Sequence, residues 1–299
     1  MTPRAAGLVL LLITAFGWGS NWPLLKMLLT EMPPLAARSY AGFLAAALLA
    51  LVALAMRQSL AVPRAIWPRL CLFAVLNVTA WMGLSTIALL WLDAAEGAII
   101  AYTMPVWAAL LAWLMLKEPM GWAKVAALCL GGTGIVLLFA GQPFDIAADK
   151  YLGAAMILTA AILFALGAVL AKGGPLPLPP LAVVTWQLLL GCAPLFIASL
   201  LVEEVALGAI SARGWASFLW MAVMSLAISY LTWFGALRRL PASSAALGTL
   251  LAPVIGTLGA GLLLEEALGW PQFAALGCIV LAVLLAARSA PVAPRVAAP

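Results

Sequence analysis

The chain contains no histidine. That removes the commonest metal ligand and the side chain that most often serves as a general base near neutral pH. Charge is scarce too: 8% of its 299 residues are Asp, Glu, Lys or Arg, against about 25% in ordinary soluble proteins. A soluble fold of this size could not cover its surface with so few. The four cysteines, Cys71, Cys129, Cys192 and Cys278, all lie in apolar stretches without metal-site spacing. They exclude zinc chemistry and a disulfide framework, and read as small packing groups. There is no Gly-rich phosphate-cradling loop, so the chain does not hydrolyse ATP. No nucleophile–base pair or cofactor motif marks an enzyme.

What the sequence has instead is hydrophobicity. Apolar residues make up 67% of it, and the mean hydropathy is +1.18. These values describe an integral membrane protein, with the lipid bilayer as its implied partner. A span needs about 20 apolar residues. Continuous apolar runs without period-two alternation predict helices rather than barrel strands. They cover 7–29, 34–56, 68–90, 94–116, 122–140, 151–172, 179–202, 214–236, 242–264 and 270–288. The fold class is thus all-α and polytopic, with ten transmembrane helices. Arg4 and the apolar run after it superficially resemble a signal peptide, but the run is long and leads into further spans, so it reads as an uncleaved first helix. The Pro/Ala-rich tail 290–299 reads as disordered.

The net charge of +5 reflects basic loops, not nucleic acid binding. Of the 15 Lys and Arg residues, eleven fall on the side that carries both termini. Lys26, Arg38, Lys150 and Arg213 fall on the other, together with every acidic residue except Glu118. The excess of basic residues predicts cytoplasmic termini in a plasma (inner) membrane.

An offset of 148 residues superimposes one half of the chain on the other. Pro105-Val106 falls on Pro253-Val254, Glu118 on Glu266, and Gly121-Trp122 on Gly269-Trp270. Five spans per half is an odd number, so the second half (146–289) runs upside down relative to the first (1–145). Two inverted five-helix repeats are the signature of alternating access around a midplane site.

Pro105 and Pro253 sit near the middle of spans 4 and 9, where each frees a carbonyl about four residues earlier, near Ala101 and Thr249. They are candidate paired hinges. Ser244, Gly248, Ala252, Gly256 and Ala260 form a small-residue stripe for close helix packing. Trp67, Trp122, Trp215 and Trp270 fit an interfacial belt. Deeper aromatic and polar residues are the substrate candidates: Trp18, Asn21, Asn77, Trp81, Tyr102, Trp186, Gln187, Ser229 and Trp233. Their indoles and phenol offer stacking, while the amides and hydroxyl require hydrogen-bond partners in a dry interior. No ionisable residue lies near the centre of a span, although Lys26 and Arg38 sit within the outer ends of spans 1 and 2. The expected cavity is uncharged.

The segments Phe16-Gly17-Trp18-Gly19-Ser20-Asn21 and Pro34-Leu35-Ala36-Ala37-Arg38, with the twice-occurring proline and closing glutamate, resemble the EamA type of the drug/metabolite transporter superfamily. The resemblance covers essentially the whole chain. Its Trp-rich spans 1 and 4 are most similar to the YddG-type exporters of aromatic and other neutral amino acids. That resemblance implies a central cavity built by spans 1–4 and 6–9. Phe164-Ala165-Leu166-Gly167, the counterpart of the span-1 motif, lacks the Trp and Asn, so the halves are expected to contribute unequally. An exporter of drugs or lipophilic cations with the same fold, and a membrane scaffold without transport, are the alternatives.

Overall fold

A backbone in lipid must satisfy its own hydrogen bonds, and the described chain does so entirely with helices. The computed structural model describes residues 2–117, 121–139, 144–237, 239 and 251–288. No strand occurs among them. The helices are α1 (Pro3–Leu28), α2 (Pro34–Ala55), α3 (Arg64–Ala88), α4 (Ala94–Leu116), α5 (Trp122–Phe139) and α6 (Phe144–Gly173). They continue with α7 (Pro180–Val202), α8 (Ala212–Trp233, extending to Leu237), α9 (Leu251–Leu263) and α10 (Trp270–Arg288). Seven, α1–α4 and α6–α8, are long and apolar enough to cross a membrane. The first part of the span expected at 242–264, together with Glu118, Ser244, Gly248, Thr249 and the tail, lies outside the described residues.

Proline opens several helices because its fixed φ suits the first turn and its missing N–H costs nothing there. Pro34 and Pro180 do this for α2 and α7. Pro105 acts inside a span. Helix α4 is broken into Ala94–Ala101 and Met104–Leu116, with a turn at Tyr102 and Thr103. Thr103 repairs part of the break, since its hydroxyl donates to the Ile100 carbonyl at 2.7 Å. Pro253 is buried in α9.

Several features recur at the 148-residue offset. Helix α3 carries a π-helical stretch at Val75–Ala80, and α8 carries one at Trp220–Ile228. Left-handed backbone closes α4 at Lys117 (φ 54°) and follows α9 at Glu265 (φ 55°). Packing partners recur as well: α1 packs on α8 and α9, α6 packs on α3 and α4, α2 packs on α7, and α5 packs on α10. Glycine permits the closest of these approaches. A methyl group on Gly19 would lie 2.6 Å from the Ala252 carbonyl oxygen of α9. The described part of the small-residue stripe packs here, with Gly256 against Gly19 and Ala98, and with Ala252 and Ala260 buried.

Apolar side chains also cover the outside of the bundle. Trp122 and Trp270 are 78% and 69% exposed, as belt residues at a membrane interface would be. Of the thiols expected to pack, Cys192 is buried, but Cys71 and Cys129 are exposed on the outer surface. A thiol is apolar enough to face lipid, which is why the sequence did not separate the two settings.

Candidate substrate site and its ionic rim

The small polar groups of α1 and α8 hold those helices together. Thr14 Oγ1 lies 2.8 Å from Thr232 Oγ1, and Ser225 Oγ donates to the Gly17 carbonyl at 2.7 Å. Ser229 Oγ donates to the Met224 carbonyl five residues back, at 2.8 Å. These bonds place Trp18 against the edge of Tyr230 at 6.0 Å between ring centroids, and against Trp233 at 5.5 Å. Trp18 and Trp233 therefore meet, with Tyr230 as an additional wall residue, while the Ser229 hydroxyl lies against Gly17. Asn21, one turn beyond Trp18 on α1, keeps a buried Oδ1 without a hydrogen-bond partner.

A second group forms where α3 meets α6 and α7. Asn77 Nδ2 donates to Gln187 Oε1 at 3.0 Å, and Asn77 Oδ1 is buried without a partner. Gly167 makes room for that amide. Trp81 packs on Phe164 at 5.0 Å. Tyr102 stands at the break in α4, with its hydroxyl beside the Trp22 indole of α1. Trp186 does not join these residues. Its Nε1 donates to the Leu60 carbonyl in the α2–α3 connection at 2.8 Å, and its ring packs edge-on to Trp67 at 5.0 Å. It belongs to the belt end of α7, because hydropathy gives depth only to within a turn or two.

Arg38, expected within the outer end of span 2, is buried between helices. This side chain is only 4% exposed. It turns inward from the second turn of α2, donating from Nε to Thr86 Oγ1 of α3 at 2.6 Å, with Nη1 3.5 Å from Met221 Sδ of α8. The sequence held a clue. Arg38 sits close to a helix start, where the macrodipole disfavours a cation, and no acid stands three or four residues away on α2.

Carboxylates gather at the Arg38 end of the bundle and tie helix starts together. Glu203 accepts from the Leu35 and Ala36 N–H groups of α2, both at 2.9 Å. Glu266 accepts from Ala94 N–H and Ala95 N–H of α4 at 2.7 and 3.1 Å. Glu31 accepts from the Ser211 backbone N–H at 2.6 Å and its hydroxyl at 2.8 Å, at the start of α8. Each supplies negative charge and acceptors where a helix has free N–H groups. Lys26 does the converse: its Nζ donates to the Leu89 and Leu92 carbonyls at the end of α3, each at 2.5 Å. Lys150 of α6 pairs with Asp93 at 3.2 Å and Glu96 at 3.0 Å. A cavity of about 530 Å³ opens among Lys26, Asp93, Arg213 and Glu266. Another, of about 370 Å³, opens near Arg69 and Gly174 at the opposite end. Burial pushes the Glu266 carboxyl above its ordinary range despite its two N–H donors. The Ser211 donors hold the Glu31 carboxyl below it.

The signature of the EamA-like transporter family matches residues 5–140 and again residues 151–288. The uncharacterized transporter YvbV of Bacillus subtilis is 31% identical over 284 residues, covering 95% of this chain and 92% of that one. YoaV of the same organism, also an uncharacterized transporter, is 23% identical over 83% of this chain and 85% of its own. A WAT1-related chloroplastic protein of Arabidopsis thaliana, At3g02690, is 24% identical over 90% and 66% respectively. A crystal structure with 21% sequence identity superimposes with a TM-score of 0.70 over 95% of this chain and 96% of that one, which shows a shared fold. The chain is a multi-pass membrane transporter and belongs to the EamA-like transporter family.

Proposed function

We propose that this protein exports small metabolites, foremost aromatic and other neutral amino acids, across the plasma membrane by alternating access. In this reading ten spans form two inverted five-helix halves, residues 1–145 and 146–289, with both termini cytoplasmic. The observation that carries it is the recurrence of unusual backbone at one offset, the π-helical stretches of α3 and α8 and the left-handed Lys117 and Glu265. The family signature, matching twice, supports the same division. Two like halves of opposite orientation can exchange conformations around a site between them.

Trp18, Tyr230 and Trp233 supply flat apolar walls, and Asn21, Asn77 and Gln187 supply amide groups. Tyr102 and Trp81 extend the aromatic lining, and Ser229 serves the α1–α8 joint. Trp186 is left out on the strength of its Leu60 bond. Aromatic faces also suit lipophilic cations, but the buried Arg38 opposes them.

Uptake into proteoliposomes tests the proposal. Labelled L-phenylalanine should enter and be displaced by neutral amino acids, with tetraphenylphosphonium a poor competitor. Trp18→Ala should raise the half-saturating concentration about two- to twelvefold, the equivalent of losing about 0.5–1.5 kcal/mol of aromatic contact. Movement of the cation alone would replace the amino-acid reading. A folded protein that moves neither would favour the scaffold.

A further inference from the structure

The guanidinium of Arg38 has an incomplete set of partners. It presents five N–H donors in a planar fork, of which Nε meets the Thr86 hydroxyl and Nη1 meets a thioether, a weak acceptor. No Asp or Glu pairs with it among the described residues. Glu203, at the start of the same helix, uses both oxygens on the Leu35 and Ala36 N–H groups. The titratable groups within electrostatic reach of Arg38 are Cys192 and Tyr230, a thiol and a phenol, which carry no charge near neutral pH. A buried cation without a counter-charge is costly, and its place near the start of α2 adds an unfavourable dipole. Packing alone gives no reason for an arginine here.

The surroundings indicate what completes it. Arg38 reaches α8 at Met221, the helix that also carries Tyr230 and Trp233, and Tyr230 packs on Trp18, which packs on Trp233. A cationic fork thus reaches the helix that supplies two sides of a flat aromatic wall. Asn21, three residues after Trp18 and so on the same face of α1, holds a buried Oδ1 without a partner. We propose that Arg38 binds the carboxylate of a monoanionic or zwitterionic solute whose apolar body lies against Trp18 and Tyr230, with Asn21 Oδ1 accepting from its ammonium where it has one. The fork matches a carboxylate in two parallel hydrogen bonds. One guanidinium balances one negative charge. A phosphate would bring nearly two, and Lys26 is already held by the Leu89 and Leu92 carbonyls. The inference rests on the transport reading and names the substrate class of that site.

Binding to the purified, detergent-solubilised protein tests it, with four probes of similar body: L-phenylalanine and phenylacetate, which carry a carboxylate, and L-phenylalaninamide and phenethylamine, which do not. Wild type should bind the carboxylates about tenfold or more tightly than their counterparts, as charge-assisted hydrogen bonds imply. Arg38→Gln should erase that preference by weakening the carboxylates about tenfold, while the two amines, relieved of a buried like charge, bind no less tightly than to wild type. Without ligand, its thermal stability should be no lower than wild type, because an unpaired buried charge has been removed. Arg38→Lys, which keeps the charge but loses the fork, should retain only part of the preference, and it decides the matter if Arg38→Gln does not fold. A wild type indifferent to the carboxylate, or full preference surviving in either folded variant, overturns the proposal. If solutes nevertheless cross proteoliposomes, transport stands and only the role of Arg38 falls.

Discussion

A carboxylate at the start of another helix does two things: it satisfies N–H groups that the helix cannot, and it ties two elements together. Glu31 and Glu266 share this geometry but titrate in opposite directions. The Ser211 donors lower the Glu31 pKa in the folded state, so its contribution is complete at neutral pH and lost as pH falls through that pKa. Burial raises the Glu266 pKa, so its contribution is greatest in acid and lost as pH rises through the raised value. Thermal unfolding in detergent, from neutral to acid, should therefore show Glu31→Gln closing its deficit relative to wild type. Glu266→Gln should instead lose ground as wild type gains. Equal slopes for the two variants would mean that the local donors and burial do not govern these groups. None of these bonds was legible in the sequence, because each depends on which connection lies beside which helix start. The interior aromatics were partly legible. Trp18 and Trp233 stand out as deep indoles on separate spans, but their contact depends on how α1 and α8 are rotated, and all-round apolar helices show no rotation in their pattern. Arg38 was missed because counting it with the outer end of α2 gave its Cα depth and not the inward reach of its side chain.

At the scale of the element, length and hydropathy alone predicted the seven described helices that are long and apolar enough to cross a membrane, because lipid demands little more of a helix than sufficient apolar residues. Local irregularity was less legible. Pro105 announced the break in α4, since no residue can bond through a missing N–H. No comparable signal announced the π-helical stretches around Asn77 and Ser225. Such stretches frequently mark functional sites, and here they carry polar groups that join α3 to α7 and α8 to α1. Pro105→Ala returns an N–H that can reach the Ala101 carbonyl and should close the turn at Tyr102 and Thr103. We expect normal insertion and thermal stability within about 1 kcal/mol, since position 105 opens a helical segment where proline is tolerated. Solute flux should nonetheless fall several-fold or more, because the two parts of α4 would move as one. Wild-type flux in this variant would reduce the break to a packing feature.

For the whole molecule, the central claim is that the two halves enter the membrane in opposite directions. The 148-residue offset is what supports this proposal in the sequence, because composition can align alanines and leucines by chance but not a proline, a glutamate and a Gly-Trp pair together. Lys26, Glu31, Asp93, Glu96, Lys150, Glu203, Arg213 and Glu266 gather at one end, the grouping that the charge count expects of a single membrane face. The most direct test uses two single thiols, one beside Glu118 and one beside its counterpart Glu266, in a background with the four native cysteines replaced by alanine. A membrane-impermeant maleimide applied to intact cells should modify the thiol beside Glu266. It should reach the one beside Glu118 only after the membrane is permeabilised. Modification of both positions from the same side would contradict the inverted arrangement, and with it the mechanism built upon it.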